Sequence, residues 1–424
     1  MSRWRPPTCA GKRAGRRGSD EIRSGRLWQP GDIEPCAAVG RELLRRGHEV
    51  RMAVPPNMFG FVESVGLAPV AYGPDPPALL HDTDSVGGKA ANPINMLPDV
   101  IEHVIQLWVE MGTTLMSLAD GADLLLAGTN EQALAANIVD YYGIPLAALH
   151  CFPMREFVPI LQPPHGWLDW QITKEAKEAQ RRALGLPETL GSATRRGEVE
   201  SLEIQAYDEC CFPGLAAEWA QHGNRRPFVG ALTLELATDA DSDVLSWIDT
   251  GTPPIYFGFG SMRVPAPADT VGMIAAACMR LGARALVCSG ANDFTDIPHF
   301  DHVKVVAAVN HAAIFPVCRA VVHHGGVGTT VAGLRAGVPT LILWIGLDHP
   351  IWVWAAAVDQ LKVGFARPFS ETTLDSLVAD LSCILTPEYL TRAREVAAMM
   401  TKPAESAARA ADLLESTARF RHLG

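Results

Sequence analysis

Short apolar segments alternate with segments of helical spacing along most of this chain, and this alternation constrains the fold more than any other feature. In the second half, strands are predicted at Ile255–Phe259, Ala285–Cys288, Val303–Val306, Ala320–Val322 and Pro339–Ile345. Strands that alternate with helices form parallel sheets covered by helices. Such sheets bind ligands at the carboxyl ends of their strands, so we expect a site in the loops that follow these strands.

The first half shows the same alternation. A helix is predicted from Pro35 to Gly47. Further elements are predicted at residues 49–54, 123–127, 131–142, 145–149 and 203–207, and a loop at 73–95. A strand at 227–232 is predicted to begin the second unit. We therefore predict an α/β protein of two Rossmann-like parallel-sheet domains that face a cleft. The N-terminal domain is predicted at 30–225 and the C-terminal domain at 226–385, followed by terminal helices at 386–424.

The charge of the chain argues against a nucleic acid as partner. The sequence has 36 Lys and Arg residues against 47 Asp and Glu residues, a net charge of −11. A protein that binds a phosphate backbone is expected to carry an excess of basic residues. Residues 1–29 differ from the rest, because they are rich in arginine and lack periodicity. We expect this basic segment to be disordered or aberrant, and it has no apolar run of the kind found in secretory signals.

Neither a membrane span nor a disulfide framework is predicted. The most apolar stretch, Ala336–Leu347, contains Gly and Pro and is shorter than the roughly 20 residues that a membrane-spanning helix needs. The 9 cysteines include no Cys-x-x-Cys pair, which indicates reduced thiols and no zinc site. We therefore expect a cytoplasmic protein, and peripheral contact with the inner face of the membrane stays open.

The strongest chemical signal is the Gly-rich segment His323–Thr330, which lies between a predicted strand and a predicted helix. The backbone N–H groups at a helix N-terminus and the helix dipole favour a bound phosphate or diphosphate, and an imidazole adds a hydrogen-bond donor. The alternative is a strand–helix turn that needs glycine only for its backbone conformation and binds no ligand. A second Gly-rich turn, Gly258–Met262, would present Ser261 and its N–H group to the same phosphate.

These motifs resemble a known family. The segments Pro253–Met262, His323–Thr330 and Ala336–Pro339 are similar to the nucleotide-sugar half of vancomycin-type and sterol-type glycosyltransferases, which have the GT-B fold. Residues 31–35 and 46–56 resemble the acceptor half, and Gly143–His150 resembles mycobacterial glycopeptidolipid-type members. The resemblance extends from about residue 30 to residue 415. It implies that the terminal helices pack back towards the N-terminal domain.

The resemblance implies roles for individual residues. Those that would bind the diphosphate of the sugar donor are His324, Gly325, Gly326, Gly328, Thr329 and Ser261. His323 would support this loop from behind. Val309 and Asn310 lie where the family contacts the nucleobase. Asp348 and His349 lie where the family has an Asp-Gln pair that binds the hydroxyls of the sugar; because His349 replaces the glutamine, the identity of the sugar stays open.

Asp32 occupies the Gly-Asp position that the resemblance assigns to the general base. A carboxylate there would take the proton of an acceptor hydroxyl while that hydroxyl attacks the sugar carbon, with inversion and without a metal or other cofactor. The alternative is that Asp32 is an acidic residue at a helix start. Two Asp-rich stretches, Asp82–Asp84 and Asp239–Asp243, imitate a metal-binding motif, but we interpret them as solvated loop or cap carboxylates.

One segment departs from the family pattern. The family opens with a buried strand before the Gly-Asp loop, whereas Gly25–Asp32 contains no apolar run. A shifted reading frame or a wrong start would produce this difference, and the first sheet would then lack a strand.

We expect an inverting transferase that moves a hexose or deoxyhexose from a nucleoside-diphosphate sugar to a hydroxyl of a lipid or peptidolipid. The alternative is a degenerate homologue that binds the nucleotide sugar without catalysis. A nicotinamide-dependent oxidoreductase is disfavoured, because neither half has the Gly-x-Gly-x-x-Gly turn with its acidic partner.

Overall fold

The computed structural model describes residues 30–73, 97–129, 131–154, 164–187, 201–220, 225–294, 297–345 and 349–419. These residues form two compact units. The N-terminal unit takes the described residues up to Tyr207, together with 219–232 and the segment from Pro403 onward. The C-terminal unit takes residues 208–218 and 233–402. The basic segment 1–29 and most of the loop predicted at 73–95 lie outside the described residues.

The described strands of the N-terminal unit form two separate parallel sheets, with the orders β1-β2 and β3-β4-β5. The strands are β1 Arg51–Val54, β2 Ala68–Ala71, β3 Leu125–Ala127, β4 Leu146–His150 and β5 Leu202–Gln205. The helices are α1 Pro30–Arg45, α2 Phe59–Ser64, α3 Leu97–Ala119, α4 Gln132–Tyr142 and α5 Pro164–Ala183. The next helix, α6 Leu215–Trp219, belongs to the C-terminal unit except for its last residue. Strand β4 is buried along its whole length because it pairs on both sides.

Two predicted elements of this unit differ in the structure. Helix α1 begins at Pro30, about one turn before Pro35, which lies inside the helix. Proline favours the first turn of a helix, and this preference made Pro35 look like the start. The strand predicted at 227–232 is reduced to one isolated bridge between Phe228 and Gln205. Gln205 makes both backbone hydrogen bonds there, to Pro227 O and from Val229 N, and the pairing extends no further.

The C-terminal unit is built on a six-stranded parallel sheet with the order β11-β10-β9-β6-β7-β8. Its strands are β6 Ile255–Gly258, β7 Ala285–Cys288, β8 Val303–Val306, β9 Ala320–His323, β10 Thr340–Trp344 and β11 Gly364–Pro368. Its helices are α7 Asp241–Asp249, α8 Pro267–Arg280, α9 His311–Ile314, α10 Val327–Ala336, α11 His349–Leu361, α12 Leu374–Ile384 and α13 Pro387–Met399.

Side chains from both faces of this sheet are buried. Ile255 and Phe257 point into one apolar cluster, and Tyr256 between them points into another on the opposite face. This is the period of two that a strand imposes, and a strand covered on both faces is apolar throughout. The pairing register sets Gly258 beside both Cys288 and His323. The carboxyl ends of the central strands therefore lie side by side at one edge.

The last helix, α14 Pro403–Arg419, packs along α1 within the N-terminal unit. Arg46 Nη1 lies 2.7 Å from Asp412 Oδ1, and His48 Nε2 lies 3.0 Å from Glu415 Oε1. None of the helices in the described part of the chain is both long enough and apolar enough to cross a bilayer.

Candidate functional site

The loops that follow β6, β7 and β8 are joined to one another by backbone hydrogen bonds. The N–H group of Ala291 donates to the carbonyl of Gly260 at 2.9 Å. The N–H group of Gly290 donates to the carbonyl of Ala307 at 3.2 Å. A Cβ at Gly290 would overlap the Gly260 carbonyl, so this close crossing requires glycine. The three loops therefore form one connected surface at the carboxyl edge of the sheet.

The imidazole of His324 lies between two glycines. A Cβ placed on Gly260 would stand 2.7 Å from His324 Cε1, and a Cβ placed on Gly326 would stand 2.5 Å from His324 Nε2. Real side chains do not approach so closely, so a side chain at either position would displace the ring. Gly260 also has a φ of +56°, a conformation that glycine adopts readily. The two Gly-rich motifs, which are far apart in sequence, thus meet at one ring.

His323 faces the protein interior and shapes the loop. Its side chain is fully buried, and its Nδ1 accepts a hydrogen bond from the N–H of Gly325 at 3.0 Å. Because Nδ1 accepts, the single proton of the neutral ring sits on Nε2. Burial lowers the pKa of His323, and the nearby imidazoles of His324 and His311 lower it further. His323 is therefore a neutral acceptor that holds Gly325, whose φ is +97°.

Helix α10 begins at this loop with Gly326 as its N-cap. The Gly326 carbonyl accepts from both the backbone N–H and the hydroxyl of Thr330, at 3.0 and 2.9 Å. The first N–H groups of a helix have no partner within the helix, and its dipole places partial positive charge there. Gly328 and Thr329 are half-buried and Ser261 is exposed, so an anion has access to this helix end.

Val309 and Asn310 follow β8 at the same edge of the sheet. The side chain of Val309 is only 7% exposed and packs into the apolar cluster on the Tyr256 face. Asn310 Oδ1 accepts a hydrogen bond from the N–H of Ala312 at 3.0 Å and so caps α9. The backbone of Asn310 is also engaged, because its N–H donates to Asp241 and its carbonyl accepts from the N–H groups of Ala313 and Ile314.

His311 was missed by the sequence analysis. Its ring stacks on Phe315 with centroids 4.4 Å apart, and its Nε2 lies 3.3 Å from the hydroxyl oxygen of Tyr256. Burial lowers the pKa of His311 to about 4; the His324 imidazole adds to this effect and Asp241 opposes it. The only signal in the sequence was its position directly after Asn310.

The remaining predicted site residues are Asp348, His349 and Asp32. Asp348 lies outside the described residues, and His349 is the first residue of α11. Asp32 lies in the first turn of α1, which belongs to the N-terminal unit. The structure therefore brings together His324, the glycines, Ser261, Val309 and Asn310 within one sheet edge.

The chain is similar to proteins that are named glycosyltransferases. A family model described as the C-terminal domain of erythromycin biosynthesis protein CIII-like proteins matches residues 261–413. An uncharacterized glycosyltransferase of Mycobacterium tuberculosis is 57% identical over 405 residues, 92% of this chain and 97% of that protein. A sterol 3-beta-glucosyltransferase of Arabidopsis thaliana is 26% identical over 87% of this chain and 64% of that protein. The structure of the glycosyltransferase VinC in complex with dTDP matches with a TM-score of 0.59 and 19% identity, over 92% of this chain and 97% of VinC.

Proposed function

Since this chain belongs to the EryCIII-like family of GT-B glycosyltransferases, we propose that it transfers a hexose or deoxyhexose from a nucleoside-diphosphate sugar to a hydroxyl of a lipid or peptidolipid, with inversion. One observation carries the proposal: the His324 ring is held between Gly260 and Gly326 at the N-terminus of α10. This arrangement suits a leaving group that gains negative charge.

The diphosphate of the sugar donor binds at the start of α10. Backbone N–H groups of Gly326, Gly328 and Thr329, the His324 imidazole and Ser261 surround it. Gly325, whose own N–H donates to His323, shapes the loop beneath it. As the bond between sugar and diphosphate breaks, negative charge grows on the diphosphate oxygens. Fixed N–H dipoles stabilise that charge without having to reorganise, which lowers the barrier. Because these groups carry the charge, the proposed reaction uses no metal ion and no other cofactor.

The nucleobase binds at the backbone of Val309 and Asn310, on the same edge of the sheet. The dTDP complex of VinC supports a nucleoside diphosphate as the leaving group. Asp348 and His349 bind hydroxyls of the sugar. His349 in place of the glutamine of the family sets which sugar is accepted.

Asp32 is the proposed general base. An acceptor hydroxyl attacks the anomeric carbon from the face opposite the diphosphate, and the carboxylate takes its proton. Direct displacement of this kind inverts the anomeric centre. The sterol glucosyltransferase among the relatives supports an apolar acceptor that bears a hydroxyl. For such an acceptor we propose a cytoplasmic enzyme that meets the inner face of the membrane.

A second candidate is a homologue that binds nucleotide sugars and lacks a working base. It is favoured by one observation, namely that Gly31 and Asp32 are helical, in the first turn of α1. An acidic residue at that position stabilises the helix N-terminus whether or not it takes part in catalysis.

Calorimetric titration with UDP and dTDP tests the binding site. We expect His324→Ala to weaken the affinity at least tenfold and the exposed His299→Ala to leave it unchanged. Equal affinities of parent and His324→Ala would contradict the diphosphate role of His324.

Turnover of the sugar donor then separates the two candidates. Asp32→Asn is expected to abolish transfer while dTDP or UDP binds normally, whereas the exposed Asp120→Asn is expected to retain transfer. A parent protein that binds the nucleotide but never transfers sugar would favour the second candidate.

A further inference from the structure

The Asp-rich stretch before β6 contains one carboxylate with a long-range partner. Asp241 Oδ1 accepts a hydrogen bond from the backbone N–H of Asn310 at 2.8 Å, across 69 residues of sequence. The same oxygen accepts from the Thr238 hydroxyl at 2.8 Å, and Oδ2 accepts from the Thr238 N–H at 2.7 Å. Asp241 thus connects the start of α7 to the loop that follows β8.

Apolar packing and an ion pair also connect α7 to β8 and to the loop that follows it. Val244 and Ile248, on the buried side of α7, share an apolar cluster with Val309. Asp243, on the exposed side, lies 2.7 Å from the amine of Lys304 on β8. Helix α7 is therefore fastened both to strand β8 and to the loop beyond it, and Asp241 is the residue that reaches the loop backbone.

We propose that Asp241 is a positioning residue that fixes the backbone of Val309 and Asn310 for contact with the nucleobase of the sugar donor. The proposal rests on the function proposed above. It assigns a role to an acidic stretch that the sequence alone indicates as solvated loop or cap carboxylates.

The chemistry of the carboxylate supports this role. Burial acts to raise the pKa of Asp241, but the hydrogen bonds from the N–H groups of Thr238 and Asn310 outweigh it and lower the pKa. The group is therefore an anion that accepts from three protein donors. An asparagine has only one acceptor oxygen, so its NH₂ group would face an N–H or hydroxyl donor. Asp241→Asn keeps the size of the side chain and breaks this arrangement.

Binding of a nucleoside diphosphate, compared with binding of inorganic pyrophosphate, tests the proposal. The probes are dTDP, UDP and pyrophosphate, titrated into the full-length parent, Asp241→Asn and Asp249→Asn. We expect Asp241→Asn to weaken the affinity for dTDP and UDP about tenfold and to change the affinity for pyrophosphate less than twofold. Asp249→Asn makes the same change of charge at the exposed end of the same helix, and we expect it to bind all probes as the parent does.

The outcomes separate this proposal from the proposed function. A parent chain that binds neither dTDP nor UDP overturns the proposed function and the role of Asp241 with it. Suppose that the parent binds dTDP or UDP. If Asp241→Asn binds the nucleotide equally well, or loses affinity for pyrophosphate as much as for the nucleotide, only the positioning role is overturned. Should Asp241→Asn fail to fold, Thr238→Val decides, because it removes only the hydroxyl that donates to Asp241. A selective loss of nucleotide affinity supports the role, and unchanged affinity rejects it.

Discussion

The ring of His324 lies so close to the backbone of Gly260 that a methyl group on the glycine would stand 2.7 Å from His324 Cε1. The orientation of this imidazole is therefore set by the absence of a side chain on another loop. Gly326 lies on the other side of the ring, so the imidazole occupies a slot between two glycines. The ring is in close contact on both sides, which suits a group that must meet a charged leaving group in a fixed geometry.

Gly260→Ala is expected to displace this ring and to weaken dTDP binding at least tenfold. Alanine there also disfavours the φ of +56° that the turn requires. The matched control is Gly272→Ala on α8, where an added Cβ meets nothing within 4 Å. That helical substitution should leave binding intact and raise the unfolding free energy by about 0.5–1 kcal/mol. Equal dTDP affinity in Gly260→Ala and Gly272→Ala would show that the slot is dispensable.

His323→Leu is expected to destabilise the loop, because it leaves the N–H of Gly325 buried without its acceptor. An unsatisfied buried donor costs about 1–3 kcal/mol of unfolding free energy. His323→Asn retains an acceptor oxygen and should lose less. Urea unfolding of the two variants and the parent measures the difference. Should His323→Leu be as stable as His323→Asn, the hydrogen bond to Gly325 would have no structural role.

His311 makes the stability of the protein depend on pH. Its pKa of about 4 in the folded state lies below its usual value near 6.5, so the unfolded chain binds the proton more strongly. The stabilising effect is complete above pH 6.5 and is lost as the pH falls towards 4. Between pH 7 and pH 5 the loss amounts to about 2 kcal/mol.

Thermal unfolding of the parent and His311→Phe at both pH values measures this effect. Phenylalanine keeps the stacking on Phe315 and cannot titrate, so its melting temperature should fall less on acidification. The exposed His299→Phe serves as the control and should behave as the parent does. An equal pH dependence in all three proteins would contradict the assignment to His311.

The N-terminal unit is expected to unfold before the C-terminal unit. Its described strands form sheets of two and three strands, whereas the C-terminal unit has one six-stranded sheet. A smaller sheet buries less apolar surface and is the less stable structure. Circular dichroism during heating should show two transitions. In a hydrogen-exchange experiment, the amide hydrogens of β1 and β3 should exchange before those of β6 and β9. One cooperative transition with uniform exchange would contradict this order.

The sequence was most informative where a strand is covered on both faces. Strand β7 lies at the predicted residues, because it is a fully buried apolar run bounded by polar residues. Strand β8 also lies at the predicted residues, although it is a partly buried edge strand that contains Lys304. The N-terminal unit was harder. Strand β2, Ala68–Ala71, is only partly buried and contains a proline, so nothing local marks it, and the long helix α3 was not predicted either.

The site was predictable in its motifs and not in its contacts. The His-Gly-Gly segment pointed to an anion at a helix N-terminus, and the loop geometry has that form. The contact of His324 with Gly260 and the hydrogen bond from Asn310 to Asp241 join residues distant in the chain. Such pairings depend on how the strands align, and periodicity does not carry that information. The roles of Asp32, Asp348 and His349 remain predictions.

The hydrogen bonds that tie the loop after β7 to its two neighbours have a consequence for redesign. Ala291 is joined to Gly260 on one side and Gly290 to Ala307 on the other, so a foreign loop grafted alone would meet two misfitting partners. A chimera intended to accept another nucleotide sugar would have to transplant all three loops as a block, together with the helix that carries Asp241.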